Sequence, residues 1–289
     1  MKRVLGLVGS YRPMGNTELL VKEIMNNAGE DCEKVLIRLT DLDIKPCRGC
    51  MACVFKGTHC RIKDDLYWLL KEVTLSDAVV VGAPCYILGA AGIIKMIQDR
   101  LIDQTLFAKD QKRSTRTCVS AIAAGQEPMI GYSPANVSRL AATFGEYRGH
   151  TTSIGQGQGE CLMKPEQLAE CKRLGTLLFA PDYELDFPDN ECPLCHTDIF
   201  QIQEDGTARC ATCQSLGKVV VDNGRFTVTF DEETYIDHEG HRLHMQRIMD
   251  SGPRFQQTKD QLGEIRNRYK RMKWWIHTPE TKGPAVLEV

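Results

Sequence analysis

Apolar residues fall in short runs along the first two-thirds of the chain, and polar stretches with a helical period separate them. RVLGLVG at 3–9 is an apolar run that ends in glycine. KVLIRL at 34–39, DAVVVGAP at 77–84, RTCVSAIAAG at 116–125 and YRGHTTSIG at 147–155 read as four further strands. DAVVVGAP barely alternates, as expected of a strand covered on both faces. Helical patterns run from about Thr17 to Asn26, Ala91 to Leu106, Ser133 to Phe144 and Pro165 to Phe179. Pro165 stands at a first helical position, where its missing N–H costs nothing. Strands alternating with helices predict an α/β fold with a doubly wound, five-stranded parallel sheet.

The pattern then changes. APDYELDFPDN at 180–190 has two prolines, four acids and no helical period, and reads as a linker. Residues 191–231 contain four cysteines and short strand-like runs. Within KVVVDNGRFTVTF at 218–230, Asn223-Gly224 predicts a hairpin turn. A polar stretch with helical tendency follows, from about Arg242 to Trp275. The expected organisation is a sheet domain at 1–182, a small β metal-knuckle domain at 187–231 and a C-terminal helical extension at 232–289.

Composition adds little to that picture. With 42% hydrophobic and 26% charged residues among 289, an ordinary packed core is available. A net charge of −2 gives no reason to expect nucleic acid or a membrane surface as the main partner. The charge-free run from Ala78 to Ile94 is interrupted by Pro84, Gly82, Gly89 and Gly92, so it does not read as a membrane span. No signal peptide is expected, and the cytoplasm is the expected compartment. Thirteen cysteines are many for a reducing compartment. Eight of them form two groups with metal-ligand spacing, and the other five read mostly as small buried hydrophobes.

The first strand runs into GSYRPMGNT at 9–17. A glycine-flanked turn leading into a helix leaves backbone N–H groups pointing at one space, where the helix dipole favours an anion. Ser10 and Thr17 add hydroxyls, Asn16 an amide and Arg12 a charge. The loop lacks the Gly-Lys-Ser/Thr of a Walker loop and the GxGxxG of a dinucleotide fold.

GSYRPMGNT resembles the phosphate loop of the NADPH-dependent FMN reductase family, whose fold is flavodoxin-like. GAPCYILGAAGIIKMIQDR at 82–100 resembles the loop after strand three in that family, with its Pro-x-Tyr and later Lys…Asp-Arg. AAGQ at 123–126 resembles the end of strand four. The resemblance covers residues 1 to about 180 and implies FMN as cofactor. It implies contacts from Ser10, Arg12, Met14, Gly15, Asn16 and Thr17 to the phosphate, and from Pro84, Cys85, Tyr86, Ile87, Ala124 and Gly125 to the ring.

CRGCMACVFKGTHC at 47–60 supplies three close cysteines and a fourth nearby. Such a set suits a compact iron–sulfur cluster better than a single zinc ion. The group resembles the cysteine motif of the iron–sulfur flavoproteins, a branch of the same superfamily. That resemblance implies a [4Fe–4S] cluster on Cys47, Cys50, Cys53 and Cys60, exchanging single electrons with FMN, with ferredoxin as a typical donor.

Cys192-Pro-Leu-Cys195 and Cys210-Ala-Thr-Cys213 are two CxxC knuckles. Two knuckles close one tetrahedron, as in a zinc ribbon or a rubredoxin-like module. Zinc is preferred and iron remains open, because the second knuckle lacks the Pro and Gly common in rubredoxins.

His238, His241 and His244 read as a solvated helix start. RNRYKRMKWW at 266–275 reads as a terminal helix whose aromatics pack on the main domain. No acid–base pair or catalytic triad stands out. The expected function is electron transfer between FMN and a [4Fe–4S] cluster. The alternatives are a cluster-free NAD(P)H-dependent FMN or quinone reductase, and a redox-sensing partner-binding protein. Expected partners are ferredoxin or NAD(P)H as donor and a second redox enzyme, and the resemblance implies a homodimer or homotetramer.

Overall fold

The computed structural model describes residues 1–102, 112–181, 191–192, 194–223, 225–230, 238–270, 272 and 274. The chain divides into two compact units, residues 1–246 and 247–289.

In the first unit, β1 (Lys2–Val8), α1 (Asn16–Asn26), β2 (Cys32–Arg38), a short α2 (Ala52–Phe55) and α3 (Leu66–Leu75) open the chain. Next come β3 (Ala78–Tyr86), a two-residue β4 (Gly89–Ala90) and α4 (Gly92–Gln98). Then follow β5 (Thr117–Ala124), α5 (Ser133–Phe144), β6 (Glu146–Ile154) and α6 (Pro165–Leu177). The sheet order is β2-β1-β3-β5-β6, with every neighbour parallel. This is the flavodoxin-like order, in which ligands bind at the carboxyl edge where the winding reverses between β1 and β3. β4 adds an antiparallel hairpin to the end of β3, which makes the sheet six-stranded where five were expected.

Strand periodicity explains the two layers. Leu5, Leu7, Val79 and Val81 face one side, where Leu66, Leu69, Ile94, Val137 and Leu140 of α3, α4 and α5 cover them. Val4, Val8, Val80 and Val119 face the other, under Leu20, Val21 and Ile24 of α1 and Leu174 of α6. Covered on both faces, these strands need no polar alternation. Gly82 permits the close approach of α1, since a Cβ there would lie 2.3 Å from Val21 Cγ2 and 3.1 Å from Thr17 Cγ2.

A second sheet of β7 (Phe200–Ile202), β8 (Thr207–Cys210), β9 (Leu216–Asp222) and β10 (Arg225–Phe230) is antiparallel, in the order β10-β9-β8-β7. Asn223 at the β9–β10 turn has φ +48°, as a tight hairpin requires. The expected linker lies almost wholly outside the described residues. So does the end of the helix expected to reach Leu106, and α4 closes at Gln98.

α7 (His238–Gln257) and α8 (Lys259–Lys270) follow, and most of α7 and all of α8 fall in the second unit. Tyr269 and Trp274 are 61% and 79% exposed. α8 has no buried residue to anchor them. Among the described residues no helix is long and apolar enough to cross a membrane.

Candidate flavin and metal sites

A cavity of about 310 Å³ opens at the carboxyl edge. Of the twelve expected flavin contacts, Ser10, Arg12, Gly15, Asn16 and Thr17 line it from the first loop. Pro84, Cys85, Tyr86, Ala124 and Gly125 line it from the ends of β3 and β5. Met14 and Ile87 do not line it. Met14 takes a left-handed turn, φ +53°, and its N–H donates to Glu18 Oε2 at 2.9 Å. Ile87 sits at the tip of the β3–β4 turn with φ +48° and is 85% exposed.

The first loop is built as an anion cradle. Gly15 precedes α1, and no side chain caps the helix. The N–H groups of its first turn are therefore left for another acceptor. Ser10 and Thr17 are buried at the edge of the cavity. The loop is braced from beneath. Arg38 Nη1 donates to Ser10 O at 2.7 Å, and Arg38 Nη2 lies 2.5 Å from Glu18 Oε2. Lys22 Nζ stands 2.6 Å from the other carboxylate oxygen. Burial pushes the Glu18 carboxyl up, but Lys22, Arg38 and the Met14 amide outweigh it and hold it at about 2.

Asn16 differs from its expected role. Its Nδ2 donates to Gly155 O at 3.0 Å, and its Oδ1 accepts from the Gly159 N–H at 2.9 Å. The side chain ties the first loop to the loop after β6, so its amide is engaged within the protein. That second loop brings Gly155 and Gln156 to the cavity, residues that sequence reasoning missed. The signal available was the glycine-rich GQGQG at 155–159, directly after a strand. Glu160 shapes the loop by accepting the Gln156 and Gly157 N–H groups at 2.8 Å each, and these amides hold its carboxyl below the usual range.

The segment 47–60 forms a separate loop after β2. Left-handed turns at Gly49, Met51 and Gly57 fold it back on itself. Its neck is bolted by a buried ion pair between Arg100 and Asp64, both nearly devoid of exposure. Asp64 Oδ2 also accepts the Lys45 N–H at 2.9 Å, and Lys45 Nζ donates to Lys63 O at 2.8 Å. Burial acts to lower the Arg100 pKa, and Asp64 and Cys60 more than offset it. Cys47, Cys50, Cys53 and Cys60 all line one cavity of about 460 Å³. Lys45, Arg48, Arg61 and Lys63 share its wall, and among the described residues no carboxylate does. In a cluster each thiolate binds its own iron, so the four sulfurs must surround a space rather than meet at a point. A cavity with four cysteines and cationic walls fits that anionic group.

The second cysteine group has the opposite geometry. Cys192, Cys195, Cys210 and Cys213 are buried, and their sulfurs all lie within 4.8 Å of one another. Cys192 and Cys213 are 3.7 Å apart, and Cys195 and Cys210 are 3.4 Å apart. These spacings are too long for disulfides, and all thirteen cysteines are free. They approach the roughly 3.8 Å edge of a tetrahedron with metal–sulfur bonds of about 2.3 Å. The knuckles are equivalent: His196 and Gln214, each following a second cysteine, have φ +55° and +65°. The His196 N–H donates to Cys192 O, and the Gln214 N–H to Cys210 O. The donor set suits a single zinc or iron ion.

Residues 2–136 match the NADPH-dependent FMN reductase family. The chain is 40% identical over 99 residues to an iron–sulfur flavoprotein of Methanocaldococcus jannaschii. That match covers 34% of this chain and 51% of the relative. An iron–sulfur flavoprotein of Archaeoglobus fulgidus is 37% identical over 100 residues, covering 34% and 48%. The chain thus spans about half the length of these curated relatives. A flavone synthase of Aspergillus candidus is 22% identical over 256 residues, covering 77% of this chain and 78% of its own. Among solved structures, a flavone reductase has the same fold with a TM-score of 0.73 at 20% identity, covering 96% of this chain and all of that one.

Proposed function

We propose that this protein is an FMN-dependent oxidoreductase that passes electrons between FMN and a [4Fe–4S] cluster on Cys47, Cys50, Cys53 and Cys60. The observation that carries the flavin half is the uncapped N-terminus of α1, which faces a cavity at the switch point beside Ser10, Arg12 and Thr17. These groups bind the phosphate, and the Pro84–Tyr86 strand end and the Ala124–Gly125 edge orient the ring. Bound FMN supplies both two-electron and one-electron chemistry, and a cluster moves one electron at a time. The cationic wall around the four cysteines favours an anionic cluster. The names of the two archaeal relatives support the same reading.

Residues 45–63 carry five Lys or Arg and no acid. Such a surface suits an acidic one-electron carrier of the ferredoxin type as donor. In the four-cysteine site of the second sheet we assign zinc a structural role, because a small β unit lacks a core of its own. The protein is proposed to act as a homodimer or homotetramer, which sedimentation at micromolar concentration tests.

The deciding experiment is anaerobic purification with flavin and iron analysis. The expected result is one FMN and about four irons per chain, with a visible band that dithionite bleaches. Replacing Cys50 by Ser should remove the iron and spare the flavin. Colourless protein that refuses added FMN would overturn the reading.

A second reading rests on the likenesses that span most of the chain, to proteins named for flavones. In it, NAD(P)H reduces the flavin and a flat aromatic substrate is the acceptor. Exposed Tyr86 lines the cavity and offers ring surface there. Full turnover of such a substrate by iron-free protein would favour this reading.

A further inference from the structure

α5 touches both the four-cysteine site and the wall of the flavin cavity. Its Arg139 is part-buried and donates from Nη1 to the carbonyl of Thr212, inside the second metal knuckle. Burial acts against the Arg139 charge, and the sulfurs of Cys213, Cys195 and Cys210 act in its favour. A metal bound by four thiolates is doubly negative when the metal is divalent, and a buried dianion needs a counter-charge. No carboxylate pairs with Arg139 among the described residues, so the thiolates are its counter-charge. Leu140 and Phe144 of the same helix belong to one buried cluster with the four cysteines, and Tyr147 of β6 meets His196 edge to face at 5.5 Å.

The N-terminal turn of α5, one turn before Arg139, grips the β3–β4 turn. The Tyr132 N–H donates to Leu88 O at 2.8 Å, and the Ala90 N–H to Asn136 Oδ1 at 3.3 Å. Just before the helix, Met129 O lies 2.8 Å from Cys85 Sγ. Cys85 and Tyr86 form one wall of the flavin cavity. Asn136 and Arg139 are three residues apart on α5, so a single helical turn joins the two contacts and carries a shift from one to the other.

We propose that metal at Cys192, Cys195, Cys210 and Cys213 sets the affinity of the flavin cavity through α5, with Arg139 as the positioning residue that holds the helix to the metal knuckle. The proposal rests on the assignment of the 310 Å³ cavity to FMN. It makes the second sheet a part of the flavin site rather than an appended module. By reciprocity, bound FMN also tightens metal binding by the same factor.

The test is a cycle on the full chain. FMN dissociation constants are measured by flavin fluorescence quenching for wild type and Arg139→Ala, each with the four-cysteine site loaded or stripped. Loading is followed by metal analysis. Removing the metal from wild type is expected to weaken FMN binding about tenfold, within the usual range of coupling between sites. In Arg139→Ala the loaded protein should already bind FMN weakly, and stripping should change it by less than about twofold.

Cobalt(II) in the site gives a second readout. Its sulfur-to-metal charge-transfer band should move to lower energy in Arg139→Ala, and Arg139→Lys should restore it. A purely structural role would not move that band. If Arg139→Ala does not fold, Arg139→Gln, which keeps a donor and loses the charge, carries the test: its cobalt band should still move to lower energy, and an unmoved band would overturn the proposal. Equal weakening in wild type and variant, or an FMN affinity indifferent to the metal, would overturn the proposal. Absence of FMN binding in loaded wild type would overturn the flavin assignment itself, a distinguishable outcome.

Discussion

Glu18 shows how one buried carboxylate can organise a binding loop. It takes charge from Lys22 and Arg38 and a hydrogen bond from Met14, and Arg38 in turn holds the Ser10 carbonyl. Glu18→Gln should destabilise the fold by on the order of 3 kcal/mol at pH 7, from a carboxyl held at about 2 against 4.5. The sign follows from the depressed value. The contribution is whole above pH 4.5 and fades as the pH falls toward 2, so the gap between wild type and variant should close in acid. Denaturant unfolding across that pH range checks this. Arg100 is a second such residue. Arg100→Ala leaves Asp64 buried and unpaired, at a cost of about 3–5 kcal/mol. It should also open the neck of the 47–60 loop, and iron per chain after anaerobic purification should fall sharply.

At the scale of elements, short turns decide the shape of the flavin cavity. Gly131 has φ +52°, and a Cβ there would lie 2.2 Å from the Leu88 carbonyl oxygen. Gly131→Ala is therefore strained twice, by its dihedral and by a backbone collision. It should cost on the order of 2 kcal/mol and displace the turn that carries Tyr86. FMN titration of the folded variant should give a weaker dissociation constant than wild type. The five parallel strands and α1, α5 and α6 are readable in the sequence within one or two residues, because a doubly covered parallel strand is apolar throughout and these helices keep their period. α3 was not read, although Leu66, Leu69, Leu70 and Val73 lie at helical spacing. Its apolar stripe was overlooked between two more conspicuous features, the cysteine segment and β3. β4 is two residues long and has no period to detect.

Over the whole molecule, the two cysteine groups play different physical parts. One surrounds a cavity with cationic walls, and the other is a closed, buried tetrahedron within the hydrophobic cluster on the α5 side of the sheet. Removing metal from the second group leaves four thiols in an apolar layer. The thermal midpoint should fall by at least about 5 °C and the transition broaden. Calorimetry of loaded and chelator-treated protein checks this, and an unchanged midpoint would mean the knuckles close without metal.

What the sequence determined by itself was local in origin. Apolar period, glycine punctuation and CxxC spacing specify the elements, the loop after β1 and the membership of both cysteine groups, since each depends on near neighbours in the chain. Tertiary structure alone decided how distant segments meet. It engaged the Asn16 amide at the cavity edge with Gly155 and Gly159, brought Gln156 in, and left Met14 and Ile87 outside. It also set Arg100 against Asp64 and Arg139 against the second knuckle. Those partners are 36 and 73 residues apart, and only burial in one core, with its demand that every charge find a counterpart, brings them together.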